Sequence, residues 1–565
     1  MLFEKNSVKI VRYFVLPVLC TGFIFYILYS FFGVDFGFTK KFSEISTDLN
    51  KIKSEISVVK EASRKRAVFT EQLENKPGIV PSRWIEVQKK ARNSVLQVFT
   101  NTLAFNWLEP YKVPSQGEGR GSGFFIDEKG HFLTNYHVVS QALRVQVQLP
   151  VFGKERFDAH VLGVSPERDL ALVKLDEYGC ARLRQEFGKI PALKFGSSDD
   201  VQRGEELLAL GFPLGMEHIK STQGILSGWE RIIFSERSFG QLCFQMTAPI
   251  NPGSSGGPSL NGNGEVIGIN FAGAANAQNV GYVIPINDVK SAIADLHNVE
   301  LLRKPRLGCA MQHTTEDMAK YLNFPKGGGL YVTKVMKGSL TEKVGLKKGD
   351  VIKEINGHLL DYQSNVVVTW SEDKVSGMDL LNRLVVGDEI SFVVYRGGKR
   401  KEFKFVFEKD EIPPIRFVYP DYENVDYEVF GGLVIMELAL NHIAILGDNV
   451  PTLIKYAFDE HQYDKRLIVT HIQPTSKVHN MRGIITVGSL LDEVNGKKVS
   501  TLGELRKELK KTGSKEFVRI TTDDDRLAVV ATRPLFEDET RLANLFMYDK
   551  THSMVLAESK NCVVC

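Results

Sequence analysis

Cysteine is scarce in this sequence of 565 residues, and neither sign of charge dominates it. The six cysteines, at positions 20, 180, 243, 309, 562 and 565, form neither a disulfide framework nor a zinc-binding spacing in the body of the chain. The 71 Lys and Arg residues nearly balance 68 Asp and Glu, and no basic domain stands out, which argues against nucleic-acid binding. A phosphate-binding P-loop is also missing. We therefore expect no metal and no cofactor.

The scattered cysteines have a simple interpretation. Cys180, Cys243 and Cys309 are expected to be buried thiols. The terminal pair Cys562 and Cys565 leaves open a redox or metal pair, a prenylation-like ending, and a dangling tail. With 43% apolar residues, a chain of this length predicts three or four folded units rather than one core.

Charge is absent altogether from Tyr13 to Val34, a run of 22 residues rich in Phe, Leu, Ile and Tyr. This length spans the ~30 Å hydrocarbon core of a bilayer as a helix. Because no small-residue cleavage site closes the run, we expect a retained membrane anchor rather than a signal peptide. Lysines and arginines flank both ends in similar number, so charge alone does not decide the orientation.

The most informative stretch is Gly253 to Pro258, which reads GSSGGP. It places serines among glycines, whose backbone amides can approach a reacting carbonyl closely. A serine nucleophile needs a histidine to accept its proton and an acid to orient that histidine. The candidates are Ser255, His137 in the run LTNYHVV and Asp169 in the run RDLALVKL.

The chain order His, Asp, Ser is that of chymotrypsin-like proteases and differs from the orders in subtilisins and α/β-hydrolases. Gly253, Ser255 and Gly257 also satisfy the nucleophile-elbow pattern of the α/β-hydrolases. An elbow serine opens a helix, whereas here a turn at Asn261–Gly264 and a strand from Glu265 to Phe271 are expected to follow. The chymotrypsin-like interpretation is therefore favoured.

These segments resemble the Deg/HtrA family of PDZ-containing serine endopeptidases. The matching pieces include GSGFFID, LTNYHVV, DLALVKL, LALGFPLG, TQGILSG, INPGSSGGP and EVIGIN, in family order from about Arg120 to Ile286. The resemblance implies a double β-barrel in which His137 deprotonates Ser255 and Asp169 orients the imidazole. The amides of Gly253 and Ser255 would then form the oxyanion hole. Ser254 is the rival nucleophile.

Substrate preference is predicted from the residues around the nucleophile. Pro249 stands six residues before Ser255, where a trypsin-like enzyme has an acid, so we expect small or medium aliphatic P1 residues. Ile269, Asn270 and Phe271 are expected to form another wall of the pocket. The chain departs from the family at Ser254 and in the segment Met246–Pro249, which leaves the pocket shape and the resting state of the oxyanion loop open.

A segment beginning near residue 303 resembles a PDZ core. Such domains bind an extended C-terminus by adding it as a strand to a sheet edge, while loop amides hold its carboxylate. Leu307, Gly308 and Cys309 match the family's carboxylate-loop position, and we expect them to contact C-terminal peptides. A PDZ shell used only for packing is the alternative.

The chain then partly repeats itself. Gly349 and Gly488, and also Asn356 and Asn495, are separated by the same 139 residues. This repeat predicts a second PDZ-like unit with an insertion at about 441–465, which most resembles the divergent second PDZ of plant-type Deg proteases. Its GGLV run is a poor carboxylate loop, so we expect a role in assembly or regulation rather than substrate capture.

Apolar residues at spacings of three and four follow the anchor, from Phe42 to Val59. They predict a short coiled coil whose Leu49 and Ile52 favour three or four strands. An amphipathic linker helix is the alternative. The coiled coil agrees with the homotrimer, or multiple of three, that the resemblance implies.

The sequence thus predicts a mainly β protein: a chymotrypsin-like double barrel followed by two PDZ-like α+β domains, preceded by a transmembrane helix and a coiled coil. The predicted bounds are 1–12 for the N-terminal segment, 13–34 for the transmembrane helix, 39–76 for the stalk, 84–300 for the protease domain, 303–411 and 412–540 for the PDZ-like domains, and 541–565 for a tail.

The expected activity is ATP-independent hydrolysis of misfolded or exposed polypeptides by a membrane-anchored enzyme whose catalytic part lies outside the cytoplasm. The alternative is a non-proteolytic PDZ scaffold or holdase with an inactive oxyanion loop. Labelling of Ser255 by a covalent phosphonate distinguishes the two, because it demands an activated nucleophile.

Overall fold

The fold is given by a computed structural model, which describes residues 83–232, 240–273, 279–408 and 412–550, without the side chains of residues 272 and 273. The predicted membrane span at 13–34, the stalk at 39–76 and the terminal Cys562 and Cys565 lie outside the described residues. Within the described part, no helix has the length and apolar character needed to cross a bilayer.

Six antiparallel strands among the described residues close a first barrel in the order β1-β2-β3-β6-β5-β4. Its strands are Val95–Ala104 (β1), Ser115–Phe125 (β2), His131–Thr134 (β3), Ala142–Gln148 (β4), Arg156–Ser165 (β5) and Leu170–Leu175 (β6). The nearly continuous apolar run of β6 is almost entirely buried, because β6 lies between two strands and also packs against helices.

A second barrel closes in the order β10-β11-β12-β9-β8-β7. Its strands are Glu206–Gly211 (β7), Lys220–Ile232 (β8), Gln241–Met246 (β9), Pro258–Leu260 (β10), Val266–Gly273 (β11) and Gly281–Pro285 (β12). The predicted turn at Asn261–Gly264 joins β10 to β11, where the Asn261 amide donates to the Glu265 carbonyl at 3.0 Å. The double barrel predicted from the sequence is confirmed.

One hydrophobic core joins the two barrels. It contains Phe124 and Leu133 from the first barrel and Leu208 and Val266 from the second, all nearly or fully buried. Burial of each such side chain stabilises the fold by about 1.5–3 kcal/mol. The accompanying helices are Arg83–Ala91 (α1), Tyr136–Val139 (α2), Glu177–Phe187 (α3) and Ile286–Leu296 (α4). Short 3-10 helices lie at Pro150–Phe152, Pro166–Arg168 and Pro213–Gly215.

A third sheet follows in the order β13-β14-β15-β19-β20, with β16 paired to β15 and a small separate pair, β17 and β18. Its strands are Cys309–His313 (β13), Leu330–Val335 (β14), Val351–Ile355 (β15), His358–Leu359 (β16), Asn365–Val366 (β17), Val375–Ser376 (β18), Glu389–Arg396 (β19) and Lys399–Val406 (β20). Its helices are Glu316–Tyr321 (α5), Leu340–Lys343 (α6) and Gly377–Asn382 (α7).

A fourth sheet has the order β21-β22-β23-β24-β26-β27, with β25 paired to β24. Its strands are Tyr427–Phe430 (β21), Leu433–Glu437 (β22), Leu467–Ile472 (β23), Leu490–Val494 (β24), Lys497–Lys498 (β25), Phe517–Thr522 (β26) and Leu527–Ala531 (β27). Its helices are Leu440–Leu446 (α8), Leu502–Leu509 (α9) and Thr532–Phe546 (α10), with 3-10 helices at Pro451–Ala457, Asp459–His461, Lys477–Met481 and Thr512–Ser514.

The third and fourth sheets share a hairpin at the positions that repeat in the sequence. Asn356 and Asn495 have φ values of 48° and 52°, and the glycine after each also has positive φ. Asn-Gly with positive φ at both residues is the preferred two-residue hairpin turn, and it joins β15 to β16 and β24 to β25. The predicted insertion, residues 441–465, lies between β22 and β23 and is built from helix α8 and short 3-10 helices.

The predicted tail from residue 541 onward requires a correction. Helix α10 continues to Phe546, with Leu542 fully buried. Tyr548 is 5% exposed and donates its hydroxyl to Glu539 Oε1 at 2.7 Å. Residues 541–548 therefore belong to the packed part of the fourth-sheet unit, because one face of α10 is apolar at helical spacing.

Candidate active site

His137 and Asp169 meet as the sequence predicts. His137 lies on helix α2, directly after strand β3, and its Nδ1 is 2.6 Å from Asp169 Oδ2. The His137 amide also donates to Asp169 Oδ1 at 2.8 Å, so both carboxylate oxygens contact one residue. An Nδ1–H that donates to the carboxylate leaves the lone pair of a neutral ring on Nε2. The imidazole is thereby oriented to accept a proton on the side away from Asp169.

The backbone holds Asp169 in place. Asp169 follows the 3-10 helix Pro166–Arg168. Its φ is 50°, a left-handed conformation that Asp tolerates better than most residues. The Asn135 side chain donates to the Asp169 carbonyl at 3.0 Å. The Asp169 side chain is fully buried, whereas the His137 side chain is 43% exposed. The pair therefore presents the imidazole, and not the carboxylate, to solvent.

Ser255 lies beside this pair, but its hydroxyl has a different partner. Ser255 Oγ donates to the Phe271 carbonyl at 3.0 Å, and within the described chain it forms no hydrogen bond with His137. The rings of His137 and Phe271 are 6.3 Å apart, centroid to centroid. The three predicted residues are thus brought to one place around Phe271, and the serine–histidine hydrogen bond is not made. Such bonds are often long or unaligned before substrate binds.

The rival Ser254 points elsewhere. Ser254 Cβ lies close to Gly211 of strand β7, since a Cβ added to that glycine would be only 3.2 Å away from it. The Ser254 side chain therefore packs against the second barrel. Ser254 also lines a small cavity with Pro249 and Asn251, which does not include His137. Of the two serines, only Ser255 is bonded to Phe271, the residue whose ring neighbours the imidazole.

The backbone around Ser255 leaves two amides unpaired. The carbonyl of Pro252 accepts from the Leu214 amide at 2.6 Å, and the carbonyl of Ser254 accepts from the Gly257 amide at 3.1 Å. A trans peptide points its N–H opposite to its C=O, so the following amides, Gly253 and Ser255, point away from these partners. Neither amide has an acceptor among the described residues. Two such donors, with one residue between them, can together bind an oxyanion.

Glycine is required at two positions of this loop. Gly253 has a φ of 95°, and a Cβ there would meet the Phe212 carbonyl at 2.6 Å. Gly256 has a φ of 86°, and a Cβ there would lie 2.1 Å from the Ser122 carbonyl. Both the backbone conformation and the close approach of neighbouring carbonyls therefore exclude a side chain.

The predicted pocket wall is only partly formed as expected. Pro249 is exposed, and Phe271 lies at the site with its carbonyl bonded to Ser255. Ile269 is fully buried in the core between the barrels. Asn270 is also fully buried, since its side chain donates to the Leu210 carbonyl at 2.9 Å and accepts from Ser259. Asn270 nevertheless borders the small cavity that Pro249 and Ser254 line. Ile269 lies in the core and forms no accessible wall, which corrects that part of the prediction.

A separate groove runs along strand β13, at the edge of the third sheet. Its volume is about 890 Å³, and its lining includes Met311 of β13, Met378 of α7, Trp229 of the second barrel and Asp459 of the insertion. Cys309 also lines it, and burial raises the pKa of this thiol to about 12, so the thiol stays protonated. An open strand edge beside a helix suits the addition of an extended peptide.

The predicted carboxylate loop lies at one end of this groove. Leu307 and Cys309 are each 7% exposed, and Gly308 has a φ of 70°. The carbonyls of Leu307 and Gly308 are not available to a ligand, because both accept from the Thr341 hydroxyl. Together with Met336 and Phe407, the loop borders a cavity of about 190 Å³ that has both apolar and charged side chains in its lining.

Sequence reasoning missed the residues that position Asp169 and the loop at 252–257, which is the oxyanion loop. Ser122 bonds both Gly253 and Ser255, Leu214 bonds Pro252, and Asn135 bonds Asp169. All three lie within segments that carry the Deg/HtrA resemblance, but no pattern in a single sequence assigns them these contacts.

Comparison with known proteins identifies the domain types. A family profile described as "Trypsin-like peptidase domain" matches residues 121–269, which include His137, Asp169 and Ser255. The two barrels form a trypsin-like peptidase domain. A second profile, "PDZ domain", matches residues 311–377, within the third-sheet unit.

Curated relatives of this chain are named as serine proteases. A probable periplasmic serine endoprotease DegP-like of Hahella chejuensis is 32% identical over 297 residues, which cover 51% of this chain and 60% of that protein. A putative serine protease HhoA of Synechocystis sp. is 36% identical over 42% of this chain and 60% of its own length. A DegP-like protease of Chlamydia trachomatis is 36% identical over 42% of this chain and 46% of that protein. The chain thus spans about half to three-fifths of these relatives.

Among solved structures, the HtrA-type protease AlgW with decapeptide aligns over 59% of this chain and 100% of its own. The identity is 25% and the TM-score is 0.45.

Proposed function

We propose that this protein is a serine endopeptidase of the Deg/HtrA kind, which hydrolyses unfolded or exposed polypeptides without ATP. The observation that carries the proposal is the arrangement at one site of the His137–Asp169 pair, the Ser255 hydroxyl and two unpaired amides. These are the parts that acyl transfer through a serine requires. The named activity of the curated relatives supports the same conclusion.

The proposed reaction begins with rotation of the Ser255 hydroxyl from the Phe271 carbonyl toward His137. Nε2 accepts the hydroxyl proton as Oγ attacks the peptide carbonyl, and the amides of Gly253 and Ser255 stabilise the resulting oxyanion. The imidazolium, held by Asp169, then protonates the leaving amine as the carbon–nitrogen bond breaks. His137 then deprotonates a water molecule, which attacks the acyl carbon; the ester bond to Ser255 Oγ breaks, the imidazolium returns its proton to Oγ, and the carboxylic acid product leaves.

Digestion of casein tests the activity directly. The parent protein should degrade unfolded casein without ATP, and Ser255→Ala should abolish degradation. Ser254→Ala is the matched control, because it removes the neighbouring hydroxyl from the same loop and should retain most activity. Degradation that survives Ser255→Ala but is lost in Ser254→Ala would reverse the assignment of the nucleophile.

A non-proteolytic PDZ scaffold or holdase is the second candidate. The observation that favours it is the bond from Ser255 to the Phe271 carbonyl, which keeps the hydroxyl from His137. The unpaired amides of Gly253 and Ser255 weigh against it, because an inactive oxyanion loop would turn at least one of them away. Aggregation-suppression by a protein that does not digest casein would support this candidate.

The exposed Pro249 supports a proposal about specificity. It supplies no carboxylate for a P1 lysine or arginine, so we expect cleavage after small or medium aliphatic residues. A peptide library cleaved mainly after basic residues would contradict this expectation.

The groove along β13 supports C-terminal peptide binding by the first PDZ domain, in which Leu307, Gly308 and Cys309 form the carboxylate loop. A peptide would pair with the edge of β13 and direct its last side chain toward the apolar part of the cavity beside Met336 and Phe407. Binding of a free-acid peptide, and not of its C-terminal amide, would support this assignment.

The fourth sheet supports a second, divergent PDZ-like unit that serves assembly or regulation. Its β22, β23 and β24 correspond in order to β13, β14 and β15, and strand β21 pairs with the edge of β22 that is open in β13. Arg506 of α9 donates to Glu428 of β21 at 2.8 Å and to Asp426 at 2.6 Å. Because β21 fills the place between β22 and α9, this unit has no vacant strand edge for a peptide there.

The N-terminal residues complete the proposal. The uncharged run at 13–34 is proposed as a single-pass anchor and the seam at 39–76 as a stalk that assembles three chains, or a multiple of three. A catalytic part outside the cytoplasm agrees with the periplasmic location named for the DegP-like relatives. Alkaline carbonate extraction of membranes and the mass of the purified assembly test these two points.

A further inference from the structure

Ser122 contacts the oxyanion loop from the opposite barrel. It lies on strand β2 of the first barrel and is fully buried. Its amide donates to the Ser255 carbonyl at 2.8 Å, and its Oγ donates to the Gly253 carbonyl at 2.7 Å. The same Oγ accepts from the Phe212 amide at 2.9 Å. One side chain therefore bonds the loop of the oxyanion hole and the segment that follows β7.

The carbonyl of Ser122 is also engaged. The Thr134 hydroxyl donates to it at 2.8 Å, and Thr134 ends strand β3, three residues before His137. Every polar atom of Ser122 thus has a partner, and these partners lie beside the nucleophile and the base. A buried hydroxyl with this set of contacts defines the relative position of the two barrels at the catalytic site.

We propose that Ser122 is a positioning residue, whose hydroxyl holds the Gly253 carbonyl so that the amides of Gly253 and Ser255 both face the developing oxyanion. This inference rests on the proposed function. Leu214 fixes the peptide before Gly253 and Ser122 Oγ fixes the peptide after it, so Gly253 is clamped on both sides. Glycine is the residue whose backbone most readily changes conformation, and without the second clamp the loop is free to turn.

Loss of the hydroxyl should affect the transition state more than substrate binding. In Ser122→Ala, the Gly253 carbonyl loses its donor and the Phe212 amide loses its acceptor. Because loss of one oxyanion donor lowers kcat about 10²–10³-fold, partial misorientation should lower kcat about 10- to 100-fold. KM should stay within about twofold, since a change confined to the transition state leaves ground-state binding intact. Affinity for a peptide boronate, which forms a tetrahedral adduct with the serine, should fall with kcat.

The experiment compares Ser122→Ala and Ser122→Cys with the control Ser198→Ala, using kcat, KM, boronate affinity and the thermal midpoint. Ser198 is also fully buried and accepts from the Asn287 amide at 3.1 Å, and neither of its side-chain partners, Asn287 and Asp199, is a residue of the site. Cysteine is close to serine in size, and its thiol is a weak donor, so kcat should lie between those of the serine and alanine proteins. The control should keep its kcat.

Equal kcat in the parent protein and Ser122→Ala overturns the inference, as does an equal fall of kcat in Ser198→Ala. If Ser122→Ala does not fold, Ser122→Cys decides the matter alone: reduced kcat at unchanged KM supports the role, and parental kcat refutes it. Failure of the proposed function is recognised separately, because the parent protein would then show no proteolysis, or proteolysis would persist in Ser255→Ala.

Discussion

Replacement of Gly253 by alanine tests the oxyanion loop most sharply. The new Cβ would lie 2.6 Å from the Phe212 carbonyl and 3.1 Å from the Leu214 amide, in a backbone with a φ of 95°. A non-glycine residue in the left-handed region costs roughly 1–2 kcal/mol, and a fixed backbone carbonyl at this distance cannot yield as a flexible side chain would. We therefore expect the loop to move and the Gly253 amide to leave the hole.

Loss of that one donor should raise the barrier by about 2.7–4 kcal/mol, which lowers kcat about 10²–10³-fold. KM should change little, because the substrate carbonyl is not yet an oxyanion in the ground state. The assay is steady-state hydrolysis of a chromogenic peptide, with the concentration of reactive serine measured by covalent titration.

Gly264→Ala provides the matched control. Gly264 also has a positive φ, 79°, but a Cβ there would find its nearest neighbour, a Val87 methyl, at 3.9 Å. It should lose about 1 kcal/mol of stability from backbone strain and retain its kcat. A Gly253→Ala protein whose kcat lies within a few-fold of the parent would refute the assignment of this amide to the oxyanion hole.

Three further predictions concern the other parts of the molecule. Asp169→Asn should lower kcat about 10⁴-fold at unchanged fold, because an amide favours the wrong imidazole tautomer; a loss below tenfold would contradict the role of the carboxylate. Met378→Asp should weaken binding of a free-acid C-terminal peptide, measured by fluorescence anisotropy, whereas unchanged affinity would place the peptide elsewhere. Burial raises the pKa of Glu539 from 4.5 to about 7, so its contribution to stability is full below pH 4.5 and is lost as pH rises through 7. Glu539→Gln should therefore raise the free energy of unfolding by up to about 3 kcal/mol at pH 8 and change it little at pH 4.5. Urea unfolding measures this through the fluorescence of Trp107, in a protein whose other tryptophans are replaced. Equal effects at both pH values would contradict the prediction.

The pairing of His137 with Asp169 could be expected from sequence, because the motifs around each residue are long and occur in a diagnostic order. The hydrogen bond of Ser255 to the Phe271 carbonyl could not. A serine hydroxyl chooses among three rotamers, and the choice depends on acceptors that only the folded structure brings near.

The environment of Phe271 shows a second limit. Simple alternation along β11 predicts which of its side chains share one face of the sheet. The pairing of β11 with β12, however, shifts between Asn270 and Ala272. Such an irregularity changes which face each later residue occupies, and it leaves no mark in a single sequence. Phe271 lies at this irregularity, and its carbonyl accepts from the Ser255 hydroxyl.

Helix α10 has a signal in the sequence. Leu535, Glu539 and Leu542 are spaced three and four apart, which is the pattern of a helix with one buried face. The glutamate disguises the pattern, because a carboxylate is rarely buried without a partner. Here Tyr548 supplies the partner, and that contact fixes residues that follow the helix.

Reaction with a fluorophosphonate tests the central claim most directly, since it requires a serine activated by its own histidine. The account predicts covalent modification of the Ser255-containing peptide in the parent protein, located by mass spectrometry, and none in Ser255→Ala or in a protein lacking His137. A folded parent protein that remains unmodified, or that is modified at Ser254 instead, would contradict it.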